Sequence, residues 1–298
     1  MIAPARTRSA RWLICAFALV LLSGLATGPA YAQPNTEKVS FTTGIDLSHA
    51  YFFRGIKQER EGFVAQPYAD INLNIYSGND DSGLKGVTFT LGQWNSLHSG
   101  PSGQDGPAQN VAAWYESDVF TGFTLAIDNW EAGITYTSYL SPNDSFGTIQ
   151  ELSLGLGMDD TALLGSFSLQ PHVLMAVEMD GQADGGDSEG VYIEFGIEPS
   201  TDALGEAIGV TFPITLGLSL SNYYENGIDT SLPGAFSDTF GFFDVAAVVA
   251  APLPVSDNYG SWELTGGFHV MALGSYLESL NESDGVQVLV SFGFSIGY

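Results

Sequence analysis

Beyond residue 32, apolar and polar residues alternate with a period of two through most of the chain. At the carboxyl end, VQVLVSFGFSIGY puts Val286, Val288, Val290, Phe292, Phe294, Ile296 and Tyr298 on one face, with Gln287, Leu289, Ser291, Gly293, Ser295 and Gly297 on the other. A tilted strand of that length crosses a bilayer. Ile71, Leu73 and Ile75 alternate in the same way with Asp70, Asn72 and Asn74, and Val87, Phe89 and Leu91 with Thr88, Thr90 and Gly92. Further stretches are centred on Trp130–Tyr136, Leu152–Leu156, Val173–Val177, Val191–Ile197, Ile214–Leu220, Phe243–Val249 and Trp262–Val270. Together with Val39 to about His49, Val111–Leu125 and the final strand they make twelve.

The segments between them are rich in Gly, Asp, Asn, Ser and Pro, as turns require, and Asp128-Asn129 fits a two-residue hairpin. No apolar run after residue 32 is long enough for a spanning helix. The pattern therefore predicts an all-β fold: a single closed antiparallel transmembrane β-barrel of about twelve strands. An even count returns both termini to the periplasmic side. On that parity Trp130, Trp262 and Tyr298 sit at the periplasmic ends of their strands, where an aromatic girdle belongs. Gly and Ser on the inner face are expected to leave room, and twelve strands to enclose a narrow or partly plugged lumen. The alternative is a soluble β-sandwich, whose strands alternate just as well.

The first residues change the picture of where the chain resides. Arg6, Arg8 and Arg11 precede an apolar stretch from Trp12 to Ala26 and an Ala30-Tyr31-Ala32 cleavage pattern. This reads as a secretory signal peptide over 1–32, leaving one domain at 33–298, and Cys15, the one cysteine, leaves with it.

Charge adds the candidate chemistry. Thirty-four Asp and Glu face eight Lys and Arg. If the apolar faces meet lipid, Asp70, Glu116, Asp118, Glu131, Glu151, Glu178, Glu194, Glu198 and Glu263 point into the lumen, since a carboxylate facing hydrocarbon is expensive. Like charges around a confined aqueous path attract cations, which predicts a cation-preferring passage. An acidic surface that keeps an exported chain soluble accounts for the same excess. Against this background Arg54, Lys57 and Arg60 cluster in AYFFRGIKQEREGF, the first external loop. Either the loop dips inward, its cations pairing with Glu116 or Asp118 and constricting the mouth, or it stays solvated and binds anionic lipopolysaccharide.

Other chemistry is sparse. His49, His98, His172 and His269 lie in separate strands or loops, and no Gly-x-Ser-x-Gly elbow accompanies them. His98-Ser99 is the nearest approach to a lipid-hydrolase pair, and no catalytic residue is assigned. The acidic loop Asp180–Gly190, with Asp184, Asp187 and Glu189, lacks EF-hand spacing, so no metal or cofactor is assigned; hydration or bridging to lipopolysaccharide through divalent cations both fit. So few cations exclude nucleic acid as a natural partner.

The stretch YFFRGIKQ, with QPYADINL and YESDVFTGFTLAIDNWEAGITYTSYL, resembles the TorF-type porin family over about residues 39–160, departing from it at SGNDDSGLKGVTFTLGQW. The resemblance implies an outer-membrane channel of unassigned substrate, and a terminal strand ending in Tyr298 resembles the signal read by the barrel-assembly machinery. The expected function is a porin-like channel for small polar solutes or ions. The other readings are a non-conducting structural or adhesive barrel closed by its first loop and, third, a lipid-modifying barrel. Expected partners are outer-membrane lipid and lipopolysaccharide, with a homo-oligomer possible.

Overall fold

The computed structural model describes residues 38–298, except 60–61, 80–81, 101–112, 202–207, 226–236 and 282. The leader and its cleavage pattern lie outside the described residues, as does Arg60.

The chain runs through β1 (Val39–Ser48), a short hairpin of β2 (Tyr51–Phe53) and β3 (Ile56–Glu59), then β4 (Val64–Ser77), β5 (Leu84–His98), β6 (Trp114–Ile127) and β7 (Trp130–Leu140). It continues through β8 (Ile149–Met158), α1 (Thr161–Leu164), β9 (His172–Asp180), β10 (Val191–Ile197), β11 (Ser200–Thr201), β12 (Gly209–Thr211) and β13 (Ile214–Ser221). The last elements are β14 (Phe240–Pro252), β15 (Ser261–Leu273), α2 (Ser275–Leu280) and β16 (Val286–Gly297).

All wall pairings are antiparallel, and the sheet closes where β1 meets β16, with Thr42 opposite Gly297 and Ser48 opposite Ser291. The sheet has 14 segments, two more than expected. Proline explains the surplus, because a residue without an N–H interrupts a ladder. Pro199 separates β10 from β11 and Pro213 separates β12 from β13, while their carbonyls still accept Phe212 N–H and Ala246 N–H, each at 2.8 Å. The wall is therefore a closed barrel of 12 strands with both termini at one end. That end is periplasmic in bacterial barrels.

Alternation decides what each face meets. On β16 Val286, Val288, Val290 and Phe292 are exposed outward, whereas Gln287 and Leu289 are buried inward. On β14 Phe243, Val245 and Val249 face out, with Phe242, Asp244, Ala246 and Val248 inside. An apolar ring of this extent is unstable against water and at home against acyl chains, so the wall spans a membrane. Among the described residues no helix is long and apolar enough to do so. Trp130 and Tyr298 are exposed at the terminal end, and Trp262 stacks edge-on to Phe294 at 5.4 Å, as a girdle requires. The Asp128-Asn129 turn forms as expected, with Ile127 opposite Trp130 and Asp128 at φ 50°. Strand β6 ends at Ile127, beyond the expected Leu125, while the expected start at Val111 lies outside the described residues.

The inner face corrects one expectation: its glycines do not leave open space. Gly44 stands opposite Tyr68, Gly92 opposite Phe120, and Gly217 opposite Phe242, and a side chain at any of the three would overlap the facing ring. Glycine in these strands lets a neighbouring aromatic lie flat along the wall.

Candidate functional site

The buried core of this barrel lies inside it, at the loop end. The hairpin β2–β3 folds into the lumen, where Tyr51, Phe52, Phe53 and Ile56 are at most 3% exposed. Aromatic side chains of the wall and upper loops surround them: Trp94, Tyr115, Tyr139, Tyr192, Tyr223, Tyr224 and Tyr276. Tyr51 packs on Trp94 at 5.4 Å and Phe53 on Tyr139 at 5.3 Å. Burying apolar side chains there is what draws a short polar-ended hairpin out of solvent.

Directional contacts fix its position. Tyr51 Oη donates to Glu116 at 2.7 Å, and Tyr115 Oη donates to Gln58. Tyr224 Oη donates to the carbonyl of Arg54 at 2.9 Å, and Asn281 Nδ2 to that of Gly55 at 3.4 Å. The tip needs the left-handed backbone at Arg54 (φ 49°) and Gly55 (φ 84°), and glycine at the second position makes so tight a turn affordable.

At this tip the guanidinium of Arg54 is buried and doubly paired. Its Nη1 and Nη2 donate to the two carboxylate oxygens of Glu151 at 2.5 and 2.8 Å, and Nη1 also donates to Tyr223 Oη at 2.6 Å. Tyr139 Oη donates to the same carboxylate at 3.1 Å. The guanidinium carbon lies 4.3 Å from the centre of the Tyr192 ring, 4.8 Å from that of Phe53 and 5.2 Å from that of Tyr223. Burial pushes the Tyr223 phenol well above its ordinary range, with Arg54 pulling the other way. A forked pair inside an aromatic cage is the strong form of a charge contact.

The hairpin dips inward, as one form of the first loop required, and for Arg54 the partner differs from the one expected. Arg54 pairs with Glu151 rather than with Glu116 or Asp118, because the tip reaches across to β8 while β6 receives Tyr51. Lys57 is half-buried, its ammonium 5.6 Å from the Phe52 ring centre.

Of the expected lining, Asp70, Glu116, Asp118, Glu131, Glu151, Glu178 and Glu194 are buried inside, whereas Glu198 and Glu263 are half-buried near the terminal end. Asn72 Nδ2 donates to Asp70 at 2.7 Å, and Tyr192 Oη to Glu194 at 2.6 Å. Glu178, directly across from Glu151, accepts the N–H groups of Ala183 at 2.6 Å and Gly190 at 2.7 Å. Asp46 and Asp244 also face inward, the latter 2.9 Å from His269 Nδ1. Alternation with Ile45 and Leu47, and with Phe243 and Val245, is the signal that marks them.

His98 turns away from Ser99 and inward. Its Nε2 is 2.8 Å from Ser96 Oγ and its Nδ1 3.2 Å from Glu59, with its ring stacked on Tyr115 at 4.3 Å. The order serine, histidine, carboxylate matches a hydrolase relay; Ser96 is 0% exposed, and the His98–Glu59 contact joins β5 to the hairpin. Among the described residues no group of three His, Cys, Asp or Glu side chains converges as a metal would need.

No family model and no curated protein matches the sequence. Solved structures similar to this chain include the translocator domain of the autotransporter NalP from Neisseria meningitidis, at 12% identity and TM-score 0.42, covering 98% of this chain and 97% of that one. An outer membrane channel from Pseudomonas putida F1 is similar at 10% identity and TM-score 0.45, covering 90% of this chain and 100% of its own. The NanC porin is similar at 11% identity and TM-score 0.40, covering 86% and 98%.

Proposed function

We propose that this chain is an outer-membrane channel for small cationic solutes, of the TorF-type porin kind that its first strands resemble, and that the described state is closed. The observation that carries the reading is the inner hairpin, a non-covalent plug tied by the buried Arg54–Glu151 pair across a lumen lined with carboxylates. An apolar outer wall supports residence in the membrane, and fixed negative charge along a narrow aqueous path favours cations over anions. Moving nine residues, Tyr51 to Glu59, takes the plug from the lumen without breaking a wall strand.

A second reading, a permanently closed structural barrel, is favoured by the aromatic packing around Tyr51, Phe52 and Phe53. Planar-bilayer recording separates the two. The channel reading expects rare openings in the native protein and sustained, cation-selective current once residues 51–59 are replaced by a short glycine-serine linker. A folded linker variant that carries no current leaves the structural barrel.

A further inference from the structure

We propose that the cage around Arg54 is a receptor for guanidinium compounds, occupied in the described state by the chain's own first loop as a tethered ligand; this rests on the channel reading above. Apart from Phe53, the groups that hold the guanidinium belong to the barrel and its upper loop rather than to the hairpin. Glu151 comes from β8, Tyr139 from β7, Tyr192 from β10, and Tyr223 from just beyond β13. Together they supply a carboxylate presenting both oxygens to a fork, a hydroxyl acceptor at 2.6 Å and a ring face at 4.3 Å.

The chemistry of the cage selects its occupant. A planar head with parallel N–H donors satisfies both carboxylate oxygens while its face lies on Tyr192, and a compact ammonium can do only one of these. Glu178 and Glu194 take their hydrogen bonds from Ala183, Gly190 and Tyr192, which leaves Glu151 aimed at the guanidinium. Withdrawing Arg54 would leave the Glu151 carboxylate, with Tyr139 still donating to it, among aromatic rings and directly across from Glu178, an arrangement that favours uptake of another cation or a proton. A free alkylguanidinium therefore competes with the hairpin for one site, and its binding favours the undocked hairpin.

Titration calorimetry of the detergent-purified Arg54→Ala variant with ethylguanidinium tests this directly. Saturable binding is expected, about tenfold tighter than that of ethylammonium, and lost in Arg54→Ala/Glu151→Gln. No binding by a folded Arg54→Ala variant, or equal binding of the two cations, overturns the proposal. Should that variant fail to fold, the native protein serves: millimolar ethylguanidinium, and not ethylammonium, should accelerate proteolysis within residues 51–59, and no difference between them overturns the proposal. Recording from Arg54→Ala keeps the two readings apart. Binding without any channel current supports the receptor and removes the channel, whereas current without binding does the reverse.

Discussion

His98, the last residue of β5, sets its Nδ1 3.2 Å from the carboxylate of Glu59, the last residue of the inner hairpin. Both side chains are buried, so the contact stands where water would otherwise serve. His98→Phe keeps the stacking on Tyr115 and removes the polar contacts to Glu59 and Ser96. The change should weaken hairpin docking by roughly 1–3 kcal/mol, the scale for removing a hydrogen-bond partner from a buried group. Amide exchange across residues 51–59 should quicken accordingly, with the wall strands unchanged. Unaltered protection would show that aromatic packing alone docks the plug.

Arg54 and Glu151 form the second tie. Removing either partner of a buried ion pair costs about 3–5 kcal/mol, while removing both costs less than the sum because no charge is stranded. Arg54→Ala, Glu151→Gln and their combination, followed by hydrogen exchange of the hairpin amides, should therefore show strong positive coupling. Additive effects would mean that the two side chains act independently.

Asp184, in the loop after β9, accepts the N–H groups of Gly186 at 2.8 Å and Glu225 at 2.7 Å. Burial pushes its carboxyl up to about 7, the charge of Glu225 adding to the effect and the two N–H bonds opposing it. A carboxyl raised above its ordinary 3.8 binds its proton more tightly when the loop is packed. Packing is therefore strongest below about pH 4 and weakens by roughly 1.4 kcal/mol per pH unit up to about pH 7. Exchange of the Gly186 and Glu225 amides, corrected for intrinsic rates, should follow that slope and flatten in Asp184→Asn.

Phe292 points outward from the middle of β16 and is 50% exposed. Arginine there should cost about 2–4 kcal/mol of folding stability in lipid vesicles, falling toward zero at equivalent outward positions near either rim. A urea titration in liposomes measures it. A cost independent of depth would contradict an outer face embedded in acyl chains.

The wall was legible in the sequence because period-two alternation assigns each residue to a face, and the same signal extends to Asp46 and Asp244. The partner of Arg54 was not. Parity says that Glu116, Asp118 and Glu151 all face inward, but which of them lies at the depth of the hairpin tip depends on the stagger between strands, and alternation carries no stagger. The cage was equally hidden. Tyr192 reads only as an inward residue of β10, and Tyr223 comes from a loop that meets Arg54 across 169 positions. The two extra segments of the sheet were marked by Pro199 and Pro213, whose lack of a donor breaks a strand that hydropathy alone joins.

The hairpin is made from residues 51–59, yet its tip is held by Tyr223, Tyr224 and Asn281. Those anchors lie 169, 170 and 226 positions further along the chain. The stopper near the start of the chain is thus seated by groups from its far half, so a truncation that spares residues 51–59 still unseats them.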